Sequence, residues 1–159
     1  MSSKVSFIGL GVMGYPMAGH LAAALSEWLE EQVTKKQGLQ TEFFEAGEDA
    51  VLDEDMRAIL FRNVRELLNN VIRHARASKV SVRLARVGNE VLIIVEDDGH
   101  GFDPVTASKT MDREGGFGLF SIRERMADLN GSLEIQSEPG QGCTVVLTSP
   151  VLTNRASRE

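Results

Sequence analysis

The chain has 159 residues, 42% hydrophobic and 25% charged, with a formal net charge of −6. That size and balance suit an ordinary soluble globular protein with one cored domain, with or without an appendage. The negative charge argues against a general nucleic-acid binder, and the single cysteine, Cys143, rules out an internal disulfide framework and a cysteine-based metal site.

That lone thiol fits a reducing, cytoplasmic compartment. No apolar run approaches the roughly 20 residues of a membrane span, and glycines interrupt the apolar stretch at the N-terminus, so it does not read as a secretion signal. The first 24 residues follow a different plan from the rest. Lys4 to Ile8 reads as a short buried strand, Gly9-Leu10-Gly11-Val12-Met13-Gly14 follows, and an Ala-rich helix spans Met17 to Ala24. Strand, G-x-G-x-x-G and helix form the dinucleotide-binding fingerprint, whose glycines let a pyrophosphate approach a helix N-terminus. The segment resembles the opening of the 3-hydroxyisobutyrate (β-hydroxyacid) dehydrogenases. A dinucleotide site also needs a second strand carrying a ribose-reading residue about 20 positions on. Leu25 to Lys36 continues instead as an amphipathic helix. Residues 1–24 are therefore expected to be a fused or orphaned fragment without cofactor function, and an NAD(P)-dependent oxidoreductase is a rival reading only.

From Leu25 the organisation is coherent. Helix 25–36 ends near Gly38, a C-terminal stop. Leu39 to Glu45 reads as a strand, and Asp53 as the N-cap of a long helix over 54–75. In that helix Met56, Ile59, Leu60, Val64, Leu67, Leu68, Val71, Ile72 and Ala75 recur at helical spacing. Its other side carries Arg62, Glu66, Asn70 and Arg73, spaced four, four and three apart, with His74 beside them. Such a stripe can be a solvated face with surface ion pairs. Yet Asn69-Asn70 in mid-helix is poor helix chemistry and suggests a task. An Asn carbonyl can suffice for a magnesium ion that keeps its waters and binds a polyphosphate. A neighbouring carboxylate can accept a proton, and Arg73 and His74 are placed to meet phosphate oxygens.

Lys79 to Leu84 alternates as a half-buried strand, and Gly88-Asn89 turns the chain into strand 90–97, giving an antiparallel hairpin. The strand ends in Asp97-Asp98-Gly99-His100-Gly101-Phe102. By itself an Asp-Gly run is most often a turn, but an acid followed by small residues can read the amino group of adenine and admit the ring behind it. Residues 103–116 have the composition of a mobile loop, which closes in Gly116-Phe117-Gly118-Leu119. Glycines just before a helix can present N–H groups to phosphates. A helix over 117–129 and a hairpin of strands 132–137 and 143–149 complete the pattern, and the tail after Pro150 is expected to fray.

Taken in order, residues 25–150 resemble the catalytic, ATP-binding domain of two-component sensor histidine kinases, in the superfamily of DNA gyrase, Hsp90 and MutL. The N box is matched by Arg65-Glu66-Leu67-Leu68-Asn69-Asn70-Val71-Ile72-Arg73-His74-Ala75, the G1 box by Asp97 to Phe102, and the G2 box by Gly116-Phe117-Gly118-Leu119. Ile122 to Leu133 resembles the subfamily that signals to LuxR-type response regulators, and Pro139 to Thr144 the family's glycine-rich hairpin. The resemblance implies a two-layer α/β sandwich of the Bergerat type, with a mixed, mainly antiparallel sheet and helices on one face. ATP would lie between helix 54–75 and the lid loop.

The same resemblance implies roles. Glu66 is the catalytic carboxylate, and Asn70 the magnesium ligand. Asp97 reads adenine, Gly99 and Gly101 shape its pocket, and Arg73, His74, Gly116, Gly118 and Leu119 complete the nucleotide site. The cofactors are ATP and Mg2+, and the partners a dimerisation domain bearing the phosphoacceptor histidine and a LuxR-type response regulator. Two departures stand out. The family usually has Thr where Cys143 stands, and Thr144 is the candidate substitute. No acceptor motif surrounds His20, while His74 and His100 lie inside the boxes, so no autophosphorylation site is expected. His100 reads as a spacer between two working glycines. A non-catalytic nucleotide-binding module and an anti-sigma-type serine kinase are the alternatives. Residues 1–24, 25–150 and 151–159 are thus expected as fragment, ATP domain and tail.

Overall fold

The structure, a computed structural model, describes residues 18–47, 52–106 and 118–151. The expected strand at Lys4–Ile8, the glycine fingerprint at 9–14, Gly116 and most of the tail lie outside the described residues. Helix α1 spans Ala18–Trp28 and continues in π-helical geometry over Leu29–Lys35. Leu21, Ala22, Leu25, Leu29 and Val33 form its buried stripe. The boundary expected between residues 24 and 25 therefore falls inside one continuous helix, because the apolar spacing runs through it.

Strand β1 (Gln40–Ala46) follows, then α2 (Glu54–Asn70), prolonged by a π-helical turn at Val71–Ala75. Asp53 caps α2 as expected, its Oδ1 accepting the Met56 N–H at 2.7 Å. Helix α2 buries Met56, Leu60, Asn63, Val64, Leu67 and Leu68. Arg76 then takes a left-handed conformation, φ 50°, which ends the helix and turns the chain toward the sheet. Strands β2 (Lys79–Val87) and β3 (Glu90–Asp97) form the expected hairpin across Gly88-Asn89. Helix α3 (Leu119–Asp128) and the hairpin of β4 (Ser132–Ser137) and β5 (Cys143–Pro150) complete the domain.

The five strands lie in the order β1-β2-β3-β5-β4. Among the described residues only β1 and β2 are parallel; the remaining pairs are antiparallel. The sheet is therefore mixed and mainly antiparallel, as expected. Strand alternation sends Phe43, Val82, Val95 and Val145 to one face, where they pack with the apolar sides of the helices in a single core. The opposite face is more polar. Lys79 pairs with Glu42 at 2.7 Å, and Arg83 lies 5.3 Å from the centre of the Phe44 ring. One face buried and one face wet is the usual solution for an antiparallel sheet. It places the last inward-facing residue of β3, Asp97, directly under the end of α2.

Candidate functional site

Between α2 and the sheet lies a cleft of about 590 Å³, measured out to its solvent edge. Its lining is mostly apolar: Leu67, Val71, Ala75, Val95, Phe102, Leu119 and Val145, with Asn70, His74, Asp97, His100, Gly101 and Cys143 supplying the polar and small groups.

Asp97 is the deepest charge in it. Only 8% of the residue is exposed, and Oδ1 accepts the Gly99 N–H at 2.8 Å. Burial pushes its carboxyl above the ordinary carboxylate value, and the Gly99 hydrogen bond partly offsets that rise. Asp98 points the other way. Its carboxylate accepts the Ser78 and Lys79 N–H groups at 2.8 and 2.9 Å and the Ser78 hydroxyl at 2.5 Å, and these bonds hold it below the ordinary value. Adjacent acids thus divide the work, because a strand sends neighbours to opposite faces: Asp97 faces the cleft, and Asp98 pins the entry to β2.

The glycines of this run are dictated by backbone contacts. A Cβ on Gly99 would stand 2.2 Å from the Ala75 carbonyl oxygen. The His100 N–H donates to that same oxygen at 2.9 Å. Gly101 has φ +63°, and a Cβ there would stand 2.2 Å from the Glu138 oxygen. The Phe102 N–H donates to Ser137 Oγ, which donates in turn to the Gly142 carbonyl at 2.8 Å. The loop is therefore wedged between the end of α2 and the β4–β5 hairpin, and Gly99 and Gly101 shape the cleft by letting three backbones meet.

Asn70 and His74, one helical turn apart, line the cleft from α2. Glu66 stands a further turn back, at the edge. Its Oε2 would lie 3.8 Å from a Cβ placed on Gly118, the left-handed residue (φ +70°) that opens α3. Leu119, next to it, lines the cleft. Glu66 is ion-paired with Arg125 of α3. Among the described residues no cluster of three or more His, Cys, Asp or Glu could hold a metal. The Asn70 amide beside the Glu66 carboxylate does suit a magnesium ion that takes most of its ligands from phosphates and water.

Three expectations need correction. Thr144 does not face the cleft: register pairs it with Glu96 on the open face of the sheet, where its hydroxyl donates to Glu96 Oε2 at 3.3 Å. Cys143, paired with Asp97, is the residue that lines the site. Burial first, then the Asp97 charge, pushes its thiol up to about 11, so it is not a reactive thiolate. Arg73 is exposed and lies outside the cleft lining. His100 is more than a spacer: it lines the cleft, with Nδ1 3.0 Å from the Gly101 carbonyl oxygen. Phe102 and Arg125 were not singled out from sequence at all. Phe102 closes the G1 run and could have been read from that position; nothing local marks Arg125.

The family described as histidine kinase-, DNA gyrase B- and HSP90-like ATPases matches residues 56–153. The chain belongs to that family, and its fold is the ATP-binding domain of histidine kinases. It is 34% identical over 116 residues to the signal transduction histidine-protein kinase/phosphatase DegS of Brevibacillus brevis, covering 73% of this chain and 29% of DegS. Its identity to the sensor histidine kinase LiaS of Bacillus subtilis is 35% over 133 residues, 82% of this chain and 34% of LiaS. The chain thus spans about a third of these relatives' length. Among solved structures, the ATP binding domain of PrrB from Mycobacterium tuberculosis superposes with a TM-score of 0.66 at 18% identity, covering 82% of this chain and 93% of that one. Among the described residues, no helix is long and apolar enough to cross a membrane.

Proposed function

We propose that this chain binds Mg-ATP and transfers its γ-phosphoryl group to a histidine on a separate dimerisation segment, as the catalytic domain of a sensor histidine kinase. The observation that carries this reading is the pairing of a buried Asp97 in an apolar cleft with Asn70 and His74 along one helix, with Glu66 one turn back on that helix facing Gly118. Asp97 accepts the amino group of adenine, and the apolar walls hold the ring. Asn70 would hold the magnesium ion, which when bound neutralises phosphate charge. Gly116 and Gly118 would offer N–H groups to the phosphates. The acceptor imidazole nitrogen attacks the γ-phosphorus, a P–N bond forms, the bond to the bridging oxygen breaks, and ADP leaves. Glu66 takes the imidazole N–H proton. Catalysis of this kind rests on positioning and charge neutralisation.

We further infer that the downstream partner is a LuxR-type response regulator, on the resemblance of Ile122–Leu133, and that residues 1–24 are a fused fragment without cofactor function. The single free cysteine fits a cytoplasmic setting. The test mixes the full chain with radiolabelled ATP, Mg2+ and a helical domain bearing a phosphoacceptor histidine. The expected product is an acid-labile phosphohistidine on that domain, lost in Glu66→Gln and Asn70→Ala and lost on chelation of the metal. An acid-stable phosphoserine on an added protein would favour a serine kinase, and ATP binding without any transfer a non-catalytic module.

A further inference from the structure

We propose that Arg125 is the positioning residue for Glu66, setting where its carboxylate stands at the edge of the cleft; the inference rests on the kinase reading given above. Arg125 sits on α3, 59 residues along the chain from Glu66, and spans two groups on α2 at once. One terminal nitrogen is ion-paired with Glu66 Oε2, while Nε donates to Asn63 Oδ1 at 2.7 Å. Asn63 is fully buried, and its own amide donates to Met126 Sδ at 3.3 Å, Met126 being fully buried as well. The guanidinium is thereby held from the core side before it reaches the carboxylate.

This is not an ordinary surface pair. The side chains of Arg125 and Glu66 are only 18% and 32% exposed. Asn63 and Glu66 stand three apart on one helix, a spacing the flat arginine fork bridges with two donors in fixed geometry. An exposed pair would leave both partners to swing. Here the buried amide fixes the arginine, and the arginine fixes the carboxylate beside Gly118. A buried polar side chain such as Asn63 needs partners, and Arg125 Nε and Met126 Sδ supply one to its oxygen and one to its nitrogen. The same contact ties the helix that opens at Gly118 to the catalytic face of α2.

The test compares the full chain with its Arg125→Met, Arg125→Lys and Glu66→Gln forms. ATP affinity with Mg2+, thermal midpoint and the rate of phosphoryl transfer to a histidine-bearing helical domain are measured for each. Arg125→Met is expected to slow transfer about ten- to a hundredfold, with ATP affinity within about twofold of the parent. Arg125→Lys keeps the charge without the fork and should fall between. A second readout needs no acceptor: the Arg125 Nε–H resonance in a 15N spectrum should be protected from exchange and should move in Glu66→Gln. Wild-type transfer by Arg125→Met would overturn the proposal. So would a parallel loss of melting midpoint, ATP affinity and rate, which marks a merely structural residue. If no form transfers phosphate, the parent included, the kinase reading is what fails. The resonance then decides the Arg125 assignment: unmoved in Glu66→Gln, it is wrong.

Discussion

Asp97 and Asp98 show how far one residue of alternation separates two identical side chains. Both begin from an ordinary carboxyl value of 3.8. Burial raises Asp97, so the folded protein holds that proton more tightly than the unfolded chain. Its contribution to stability is complete below the unfolded value and is lost as pH rises through the folded one. Asp98, held down by Ser78 and Lys79, behaves oppositely: its contribution is present above the unfolded value and is lost as pH falls through the folded one. Asp97 ionised is also the form that accepts the adenine amino group. ATP affinity should therefore weaken as acid is added and Asp97 protonates, before Asp98 does. Asp97→Asn is expected to lower ATP affinity by about ten- to a hundredfold, with an unchanged or raised midpoint in urea, because the buried charge is gone. Asp98→Asn should instead lower the midpoint and leave affinity nearly intact. Titration calorimetry and urea unfolding near pH 5 and 7.5 separate the two.

At the scale of elements, the site exists because three backbones converge. The end of α2, the loop 97–102 and the β4–β5 hairpin approach so closely that Gly99, Gly101 and Gly142 leave no room for a Cβ. Gly99→Ala would set a methyl group against the Ala75 carbonyl and must push the loop off the helix. Overpacking of that order costs about 1–3 kcal/mol. Both the urea midpoint and ATP affinity should fall, since the same shift moves Asp97. A loss of stability with ATP affinity preserved would show that loop and helix need not be docked for binding. Much of this level was legible in the chain. The long helix, its Asp53 cap, both hairpins and the polar stripe follow from spacing and turn chemistry. Thr144 and Cys143 were not separable, because which of two neighbours faces the helices depends on pairing with a strand more than 40 residues away.

For the whole molecule, the open question in the sequence was where the ATP domain starts. The change of style after residue 24 suggested a seam at Leu25, but Leu21 and Ala22 are each 2% exposed and share a stripe with Leu25. The core therefore reaches back across that seam. Removal of residues 1–24, which takes away buried Leu21 and Ala22, should destabilise the domain by about 2–5 kcal/mol, the range for losing a large buried side chain. Thermal melts of the full chain and the truncated form check this. Equal midpoints would mean that the first turns of α1 lend the core nothing.

The amino-acid sequence alone determined the class of the protein and the order of its described elements, since periodicity, capping and glycine runs are local properties of a chain. Asp97, Asn70, His74, Gly101 and Leu119 were read from it and do line the cleft. Only the tertiary structure decided that Cys143 and not Thr144 faces Asp97, that His100 and Phe102 belong to the wall, and that Arg125 reaches Glu66 through the anchor of Asn63. These are contacts across strands and helices remote in sequence. They depend on register and on how α3 packs against α2, which no local pattern encodes.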